Sequence, residues 1–402
     1  MHEEWKKTTH LKCGFSTFAG LRPPHCVLAG GSGTHTVCVC MEHQNFKLML
    51  HAAGIKETCE ELVASTVCQL DNEKCMIGKC EKCPGTDHAE ALLRNAPALQ
   101  IDEADRLQVQ QWVKGTRCRL EALVLTQEDF CDRLLDMLRQ IKVHHFVSKQ
   151  QARYLRELKS GLKSKKEAIV LLDFAENYSF IVQDAPQSYH WVNDQASIHP
   201  VVIYFRPDES GADISVRSFA VISDCLQHDT TAVSAFQAEV LKIVKQDMPE
   251  IKKIYYFSDG ASSQYKNKKK FVILCYHQLD YNIEAEWNFF ATSHGKSACD
   301  GVGGTLKRLA AKASLQRPYQ DQIMTPYQLF LWAYNNIKGI RVLWVPASIV
   351  EEKASQLAQR FSTAVTAKGT RNFDCFKPLS LSTLCVGLTS YSATKDIKVS
   401  KE

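Results

Sequence analysis

Residues 168–179 read AIVLLDFAENYS, in which five apolar residues lead directly into Asp173. A short apolar run that ends in polar residues is typical of a strand buried on both faces. Two later stretches repeat this design: YYFSDGASS, which contains Asp259, and FFATSHGKSACDGVGG, which contains Asp300. Each aspartate is therefore predicted to lie at or shortly after the end of a strand.

The elements around these motifs follow a definite order. The strand-like stretches AIVLLDFA, SFIVQDA, HPVVIYFR and ISVRSFAVISD precede a helix, DTTAVSAFQAEVLKIVKQDMP. The strand IKKIYYFSD, the helix SSQYKNKKKFVILCYHQL, the strand IEAEWNFFAT and the helix DGVGGTLKRLAAKASL come next. Three or four strands followed by alternating helices and strands is the order of an RNase H-like domain. The predicted fold class is therefore α/β, with an RNase H-like mixed sheet flanked by helices.

Changes in composition and periodicity divide the rest of the chain. LQVQQWVKGTRCRLEALVLT indicates two strands around a glycine turn, and Thr126 is a cap for a helix over 127–141 that a second helix follows at about 148–162. The predicted organisation is an irregular lead-in over 1–35, a small, cysteine-rich, mainly helical zinc-binding region over 36–100, the strand pair and helices over 101–165, the RNase H-like domain over 166–316, and a C-terminal extension of helix, strand and helix with a disordered tail over 317–402.

Composition excludes several classes of protein. The chain has 402 residues, of which 45% are hydrophobic and 23% charged, which favours two or three globular packing units. Its net charge of +5 is too small to indicate nucleic-acid binding by itself. The N-terminus lacks the apolar core of a signal peptide, and no apolar run approaches the roughly 20 residues that span a bilayer. We therefore expect a nuclear or cytoplasmic protein that is neither secreted nor membrane-bound.

The three aspartates together predict a metal site. The C-terminal ends of parallel strands meet at one edge of a sheet, so Asp173, Asp259 and Asp300 can converge although they are far apart in sequence. Carboxylates are the hard oxygen ligands that Mg²⁺ and Mn²⁺ prefer. Two such ions roughly 3.5–4 Å apart can clamp the attacking and leaving oxygens of a phosphodiester. The predicted cofactor is therefore catalytic Mg²⁺ or Mn²⁺.

Local alternatives exist for these positions. Asp259 could be a turn residue, and Asp300 could cap the helix that follows it. Glu176 could contribute a further oxygen beside Asp173. Glu351 and Glu352 are fallback candidates for the third acid. The correct topological order of all three aspartates favours the metal site over these local roles.

Basic residues cluster near two of the three acids. Positive charge there suits a nucleic-acid backbone, which carries one phosphate charge per nucleotide. The alternative is that the run KNKKK is only a solvated helix face, and that His294 hydrogen-bonds its own loop. The residues predicted to contact nucleic acid are Lys266, Lys268, Lys269, Lys270, His294, Lys296, Lys307 and Arg308.

Cysteine usage points to a second kind of site. Eleven of the 16 cysteines fall before residue 132. In a chain without a secretory signal, cysteines are expected to be reduced thiols or metal ligands and not disulfides. A C-x-x-H pair and a C-x-x-C pair supply four ligands for structural Zn²⁺. Cys38 and Cys75 could replace a ligand or support a second ion, whereas Cys59 and Cys68 are predicted to be buried core thiols. Plain thiols remain the alternative. The predicted zinc ligands are Cys40, His43, Cys80 and Cys83.

From residue 36 to about residue 376 the chain resembles transposon-encoded proteins with a DDE-type transposase domain. The motifs that carry the resemblance are HTVCVCMEHQNFKLML, CMIGKCEKCP, DFAENYSFIVQDAPQSYHW, YFSDGASSQYKNKK and SHGKSACDGVGGTLKR. The resemblance implies a cut-and-paste transposase or its domesticated descendant, with Asp173, Asp259 and Asp300 as the metal-binding acids. It also implies DNA as the partner, namely transposon ends and target, and leaves room for a homo-oligomer. Many such enzymes have glutamate at the third position, where this chain has Asp300.

Three functions compete at this stage. The first is metal-dependent cleavage and strand transfer of DNA, which the retention of three mutually repelling carboxylates favours. The second is a catalytically silent, domesticated transposase fold that binds DNA or a protein. The lack of a recognisable DNA-reading motif before residue 36 favours this second function. A ribonuclease or exonuclease of the same fold is the third, because a fold does not determine a function.

Overall fold

In the computed structural model, residues 39–100, 106–115, 118–183, 194–208 and 213–401 are described, together with Thr17. The predicted lead-in over 1–35 otherwise lies outside the described residues, as does Cys38. Residues from Cys40 onward belong to one compact unit. None of the helices in the described part of the chain combines the length and the apolarity that crossing a membrane requires.

The N-terminal part of this unit is mainly helical. Thr58 begins one helix with a capping box, in which its side chain accepts from the Glu61 N–H and the Glu61 side chain accepts in return. The helices of this part share one apolar core, which includes Phe46, Leu62 and Phe130. Its elements are α1 (Met41–Ala52), α2 (Cys59–Ser65), α3 (Glu73–Met76), α4 (Asp87–Asn95), the strands β1 (Leu107–Val113) and β2 (Arg119–Leu125), and α5 (Gln127–Gly161).

Helix α5 corrects one prediction and confirms another. Thr126 caps it as predicted, accepting a hydrogen bond from the Asp129 N–H. The two helices predicted over 127–141 and 148–162 are instead one helix of 35 residues. The linking sequence KVHHFV contains neither Gly nor Pro, and Phe146 and Val147 are buried, so tertiary packing carries the helix through it. The predicted antiparallel strand pair, β1 with β2, is confirmed.

A mixed sheet forms the centre of the remaining chain. Its strands are β3 (Glu167–Leu172), β4 (Ala175–Ser179), β5 (Gln195–Phe205), β6 (Ser215–Ser223), β7 (Lys253–Ser258), β8 (Glu284–Phe289), β9 (Ile340–Trp344), β10 (Cys375–Pro378), β11 (Thr383–Gly387) and β12 (Lys395–Lys398). Its helices are α6 (Thr230–Asp247), α7 (Lys268–Tyr281), α8 (Ala298–Leu315), α9 (Pro326–Asn336) and α10 (Ala347–Thr363).

The strand order across the sheet is β12-β11-β10-β8-β7-β3-β5-β6-β9, and β4 pairs with β5. Strands β3, β7 and β8 are mutually parallel, whereas β5 is antiparallel to β3, and β6 is antiparallel to β5. Strand β9 is parallel to β6, and β10 is antiparallel to β8. The coarse prediction of a mixed α/β sheet flanked by helices is therefore confirmed.

Side chains of β3 alternate between two cores. Val170 and Leu172 face the core that contains α6 and α7. Ile169 and Leu171 face the core that contains α8 and α9. This period of two follows from the pleat of a strand, and burial on both faces explains the continuous apolar run in the sequence.

The C-terminal extension is more ordered than predicted. Helix, strand and helix follow as α9, β9 and α10, in agreement with the sequence. The predicted disordered tail is wrong, because β10, β11 and β12 extend the sheet beyond β8, with Phe376 paired to Trp287. These strands have only four or five residues and are joined by serine-rich turns, so their pattern is too short to distinguish from a polar tail.

Helix α8 lies close to the sheet because of one glycine. A Cβ atom at Gly303 would lie 3.1 Å from the Cβ of Ala175 and 3.3 Å from the Cγ of Pro200. A Cβ at Gly304 would meet nothing within 4 Å. Gly303 therefore permits a close approach of α8 to β4 and β5, whereas Gly304 plays no part in it.

Substitution of these two glycines should have opposite effects on stability. Gly303→Ala should lower the free energy of unfolding, because overpacking costs roughly 1–3 kcal/mol and neither Ala175 nor Pro200 can rotate away. The matched control Gly304→Ala should raise it by roughly 0.5–1 kcal/mol through helix propensity alone. Chemical denaturation of both variants measures the difference, and equal shifts would contradict the close packing of α8.

Candidate functional site

Asp173 and Asp259 occupy equivalent positions on neighbouring parallel strands. Leu171 pairs with Phe257 in the register of β3 and β7, and each aspartate lies two residues further along its strand. Parallel neighbours are about 4.8 Å apart, so the two aspartates stand side by side at the C-terminal edge. Leu171 and Phe257 both face α8, and the period of two directs Asp173 and Asp259 to the same side.

Asp300 approaches this edge from α8. It lies in the first turn of that helix and is exposed, whereas Asp173 and Asp259 are half-buried. Burial is the main cause that raises the pKa of Asp173 to about 7, and the negative charges of Asp259 and Asp300 contribute to the same shift. Burial also raises the pKa of Asp259, against a smaller effect of the Ala261 N–H. The three carboxylates are therefore close enough to interact electrostatically.

Asp259 and Asp300 also have the turn and helix-cap roles that were the alternatives to metal binding. The Asp259 Oδ1 atom accepts from the Ala261 N–H at 3.2 Å, as in a turn. The Asp300 Oδ2 atom accepts from the Ser297 N–H at 2.7 Å, as part of a capping box. Each bond occupies one carboxylate oxygen and leaves the second oxygen to serve a cation.

The other acidic candidates have different positions. Glu176 is exposed on β4 and lies near enough to Lys307 to affect its pKa. Glu351 and Glu352 are exposed on α10, which packs against α6 and α7 on the face opposite α8. The fallback assignment of the third acid to Glu351 or Glu352 is therefore wrong.

Two buried residues beside the acids escaped the sequence analysis. The Tyr265 hydroxyl lies 3.0 Å from the His199 Nε2 atom, and both side chains are fully buried. Burial raises the pKa of Tyr265 well above its usual value, and the charges of Asp173 and Asp259 add to the shift. Phe174, next to Asp173, contacts the His199 ring edge-on at a centroid distance of 4.7 Å. His199 lies inside an apolar strand and gave no signal, whereas Tyr265 belongs to the SDGASSQYKN motif.

The predicted nucleic-acid contacts divide into two groups, and two lysines are corrected. Lys270 is only 2% exposed, donates to the Gln237 side chain at 2.7 Å and lies over the Trp287 ring, and burial lowers its pKa to about 7. Lys266 is paired with Asp374 at 2.7 Å. Both therefore stabilise the fold and do not face a ligand.

The other basic residues have exposed or half-buried side chains, and the Lys269 Nζ atom lies 4.9 Å from the centroid of the Phe361 ring on α10. Lys307 is half-buried, and burial lowers its pKa while nearby Glu176 opposes the shift. Lys296 precedes Asp300 by four residues, and Arg308 lies two turns further along α8. The exposed residues of the predicted set are Lys268, Lys269, Lys296 and Arg308.

The cysteine and histidine ligands form two clusters where one was predicted. Each cluster has four residues whose ligand atoms all lie within 4.8 Å of one another, and the three aspartates do not form such a group. The tetrathiol cluster contains Cys68, Cys75, Cys80 and Cys83, and the histidine cluster contains Cys40, His43, His144 and His294. The predicted quartet of Cys40, His43, Cys80 and Cys83 is thus divided between them.

Sulfur positions in the tetrathiol cluster suit a tetrahedral ion. The Cys68 Sγ atom lies 3.4 Å from that of Cys75 and 3.7 Å from those of Cys80 and Cys83. A tetrahedron with Zn–S bonds of about 2.3 Å has edges of about 3.8 Å. The Lys82 backbone N–H is the main cause that lowers the pKa of Cys80 to about 7, which favours the thiolate. The cluster can therefore hold a metal such as zinc.

The predictions for individual cysteines differ in outcome. Cys75 belongs to the tetrathiol cluster, as one alternative proposed. Cys68 is exposed and belongs to the cluster, so its assignment as a core thiol is wrong. Cys59 is half-buried at the start of α2 and packs against the helical core, as predicted. The sequence did not indicate that Cys68 joins the cluster, because Cys68 does not belong to a C-x-x-C pair.

The histidine cluster has donors from three separate segments. Cys40 and His43 lie at the start of α1, His144 in the middle of α5, and His294 in the loop between β8 and α8. Burial is the main cause that lowers the pKa of His43 and of His144 to about 4, and neutral imidazole is the form that binds metals. His294 thus lies in a cluster that could hold a metal ion, and the HH pair that includes His144 carried no spacing signal.

Two family models match this chain, each over a different part of it. The model for "Domain of unknown function (DUF8701)" matches residues 151–390, and that for "Domain of unknown function (DUF8700)" matches residues 41–142. The boundary between the two matches falls inside α5. No curated protein matches the chain.

One solved structure is similar at a low level. It is Endonuclease V of Ciona intestinalis in complex with a 24mer DNA that contains an inosine followed by a ribo-adenosine. Sequence identity is 11% and the TM-score is 0.18, over 65% of this chain and 82% of that chain. At this level the match indicates neither a shared fold nor a shared activity.

Removal of the Asp173 charge should stabilise the protein at alkaline pH. Its pKa of about 7 lies above the ordinary value of 3.8, so the fold favours the neutral carboxyl. That contribution is complete below about pH 4 and is lost as the pH rises to about 7 and beyond. Without added divalent cation, Asp173→Asn should therefore raise the melting temperature by roughly 2 °C or more at pH 8, and by much less at pH 4.

The control is Glu176→Gln, which removes an exposed carboxylate from the same edge. It should leave the melting temperature at pH 8 within about 1 °C of the unaltered protein. Thermal unfolding at both pH values measures these shifts. A lower melting temperature for Asp173→Asn at pH 8 would contradict the electrostatic description of the site.

Loss of one thiol should release metal from the tetrathiol cluster. Cys83→Ser removes a ligand, so freshly purified protein should contain about one equivalent of zinc less than the unaltered chain. Cys59→Ser removes a thiol outside the cluster and should leave the zinc content unchanged. Metal analysis by mass spectrometry compares the three proteins, and equal contents would contradict the assignment of this cluster.

Proposed function

The chain belongs to the family of the domain of unknown function DUF8701, and we propose that this member is a DDE-type, metal-dependent polynucleotidyl transferase that cleaves and joins DNA. One observation carries the proposal: Asp173, Asp259 and Asp300 lie at one edge of the sheet, where burial and the charges of the other two acids raise the pKa of Asp173. Carboxylates held together in this way, in a partly buried position, are typical of sites that bind divalent cations.

Topology supports the proposal. Within the larger sheet, the order β6-β5-β3-β7-β8, with β5 antiparallel and β3, β7 and β8 parallel, agrees with an RNase H-like domain. Helices α6, α7 and α8 follow β6, β7 and β8, as such a domain requires. The acids then fall at the first strand, the fourth strand and the helix after the fifth.

The donor set fits Mg²⁺ or Mn²⁺. Asp173, Asp259 and Asp300 offer only hard, anionic oxygens, and a divalent cation would offset both the burial and the charge repulsion that together raise the pKa of Asp173. When bound, such cations activate the attacking water or 3′-hydroxyl and stabilise the leaving oxygen. The protein's part is to position the oxygens, and the close packing at Gly303 keeps the helix that carries Asp300 against the strands.

Exposed positive charge around the acids suits a DNA backbone. Lys296 lies in the loop four residues before Asp300, and Arg308 lies on the same helix as Asp300. Lys268 and Lys269 are exposed at the start of α7, after Asp259. These side chains can contact phosphates and set the register of DNA on the site without reading its sequence.

A second candidate function has its own observation. Asp259 closes a turn and Asp300 caps α8, so both would be retained for stability even in a catalytically silent descendant. Such a protein would bind DNA or a protein partner on the same surface and would leave phosphodiesters intact.

Incubation of the full chain with DNA and Mg²⁺ or Mn²⁺ separates the two functions. The transferase should nick or join supercoiled plasmid and duplex DNA with candidate terminal repeats. Asp259→Asn should lower that rate by more than about 100-fold, because the site loses a charge its cations require, while DNA binding persists.

Two controls make the result specific. Glu352→Gln removes an exposed carboxylate from the opposite face and should leave the rate unchanged. Ca²⁺ in place of Mg²⁺ should support binding without cleavage. If the unaltered protein binds DNA but leaves it intact with both Mg²⁺ and Mn²⁺, the silent module is the correct function.

A further inference from the structure

We propose that Cys40, His43, His144 and His294 form a closed metal centre that ties the N-terminal helices to the loop between β8 and α8. Metal binding at this centre then holds the loop against the acidic cluster, which consists of Asp173, Asp259 and Asp300. The metal centre stands on its own observations. Its catalytic consequence rests on the proposed function.

Distances within the histidine cluster suit four ligands around one ion. The His144 Nε2 atom lies 3.2 Å from the Cys40 Sγ atom and 3.1 Å from the His294 Nε2 atom. Tetrahedral zinc with Zn–N of about 2.05 Å and Zn–S of about 2.3 Å has N–N edges of about 3.3 Å and S–N edges of about 3.5 Å. With four protein ligands the site is closed, which is typical of a structural metal.

Two surrounding contacts orient the ligands independently. Glu42 places a carboxylate oxygen 3.3 Å from the His144 Nδ1 atom, on the side of the ring away from the cluster. A metal-ligating histidine usually donates its other N–H to such a carboxylate, which fixes the tautomer. The His43 Nδ1 atom is buried and has no hydrogen-bond partner among the described residues, so a coordinate bond would satisfy it.

The donor chemistry restricts the ion. Three imidazoles and one thiolate are borderline to soft ligands, which favour Zn²⁺ or Co²⁺ and disfavour Mg²⁺ or Mn²⁺. The centre is therefore chemically distinct from the three aspartates, which prefer the latter ions. The two can be loaded and measured separately.

One ligand belongs to the loop that packs on the acids. Gly295 follows His294 directly, and a Cβ at Gly295 would lie 3.1 Å from the Cβ of Asp259. Two residues later, the Ser297 N–H donates to Asp300. A metal bond at His294 would therefore fix the backbone that touches Asp259 and that donates a hydrogen bond to Asp300.

The opposite side of the centre is anchored in the helical core. His144 is separated from Cys40 by 104 positions and from His294 by 150, so one ion would join three distant segments. Ala291, in the same loop as His294, packs into the N-terminal core. The tetrathiol cluster instead takes its ligands from residues 68–83 alone and can only staple that segment. Loss of metal from the histidine cluster should therefore loosen the loop beside the acidic cluster, whereas loss of metal from the tetrathiol cluster should not.

Metal content of variants of the full chain tests the centre without any activity assay. The unaltered protein should contain about two equivalents of zinc, and His294→Ala about one. His145→Ala is the matched control, because His145 neighbours His144 on α5 but lies outside the cluster, and it should keep two. His294→Cys preserves a ligand and should restore the second equivalent. Unchanged zinc in His294→Ala would overturn the proposal.

Amide hydrogen exchange tests the positioning of the loop. In His294→Ala, amides of residues 291–300 should exchange at least about 10-fold faster than in the unaltered protein, because the loop loses its anchor. Exchange should stay slow in His145→Ala and His294→Cys, and also in Cys83→Ser, which loses the other ion. Loss of one zinc equivalent in His294→Ala without faster exchange in the loop would overturn the positioning role.

Cleavage of DNA provides the last comparison. If the unaltered protein cleaves DNA, His294→Ala should lower kcat by about 10-fold or more, and His294→Cys should recover most of it. If the unaltered protein does not cleave, the proposed function fails, while zinc content and exchange still decide whether the centre exists.

Discussion

The parallel pairing of β3 with β7 is the constraint on which the candidate site depends. Its register places Asp173 and Asp259 two residues beyond paired positions, on adjacent strands and on the same face. Had the register shifted by one residue, one of the two carboxylates would point into the opposite core. Burial of both strands on both faces specifies that register strongly, so packing of Val170, Leu171 and their neighbours also positions the chemistry.

Negative charge concentrated at this edge has a cost that the surrounding structure offsets. Asp259 and Asp300 each accept a hydrogen bond from a backbone N–H, whereas burial and the charges of its neighbours raise the pKa of Asp173. The loop with Gly295 lies directly on Asp259, where a larger residue would collide. Turn, cap and loop thus hold the acids in place as well as stabilise the fold. The local roles and the metal-binding role are compatible.

Patterns confined to one segment were predictable. The strands that lead into Asp173 and Asp259 follow from apolar runs, and the cap at Thr126 follows from a capping residue. Errors arose where tertiary packing overrides local signals. KVHHFV continues a helix because Phe146 and Val147 are buried, and the short strands β10 to β12 join the sheet only through the pairing of β10 with β8. Lys270 is buried in the core, where it contacts Gln237 and Trp287.

By itself the sequence determined which residue types and spacings are present: the acidic strand ends, the mixed α/β order and a cysteine-rich segment able to bind metal. Only the tertiary structure decided which ligands share a cluster, since His144 and His294 are separated by 150 positions from each other and have no spacing signature. The physical reason is the range of the interactions. Strand and helix patterns are set by contacts between near neighbours in sequence, whereas a four-ligand cluster is set by where packed elements bring distant side chains together.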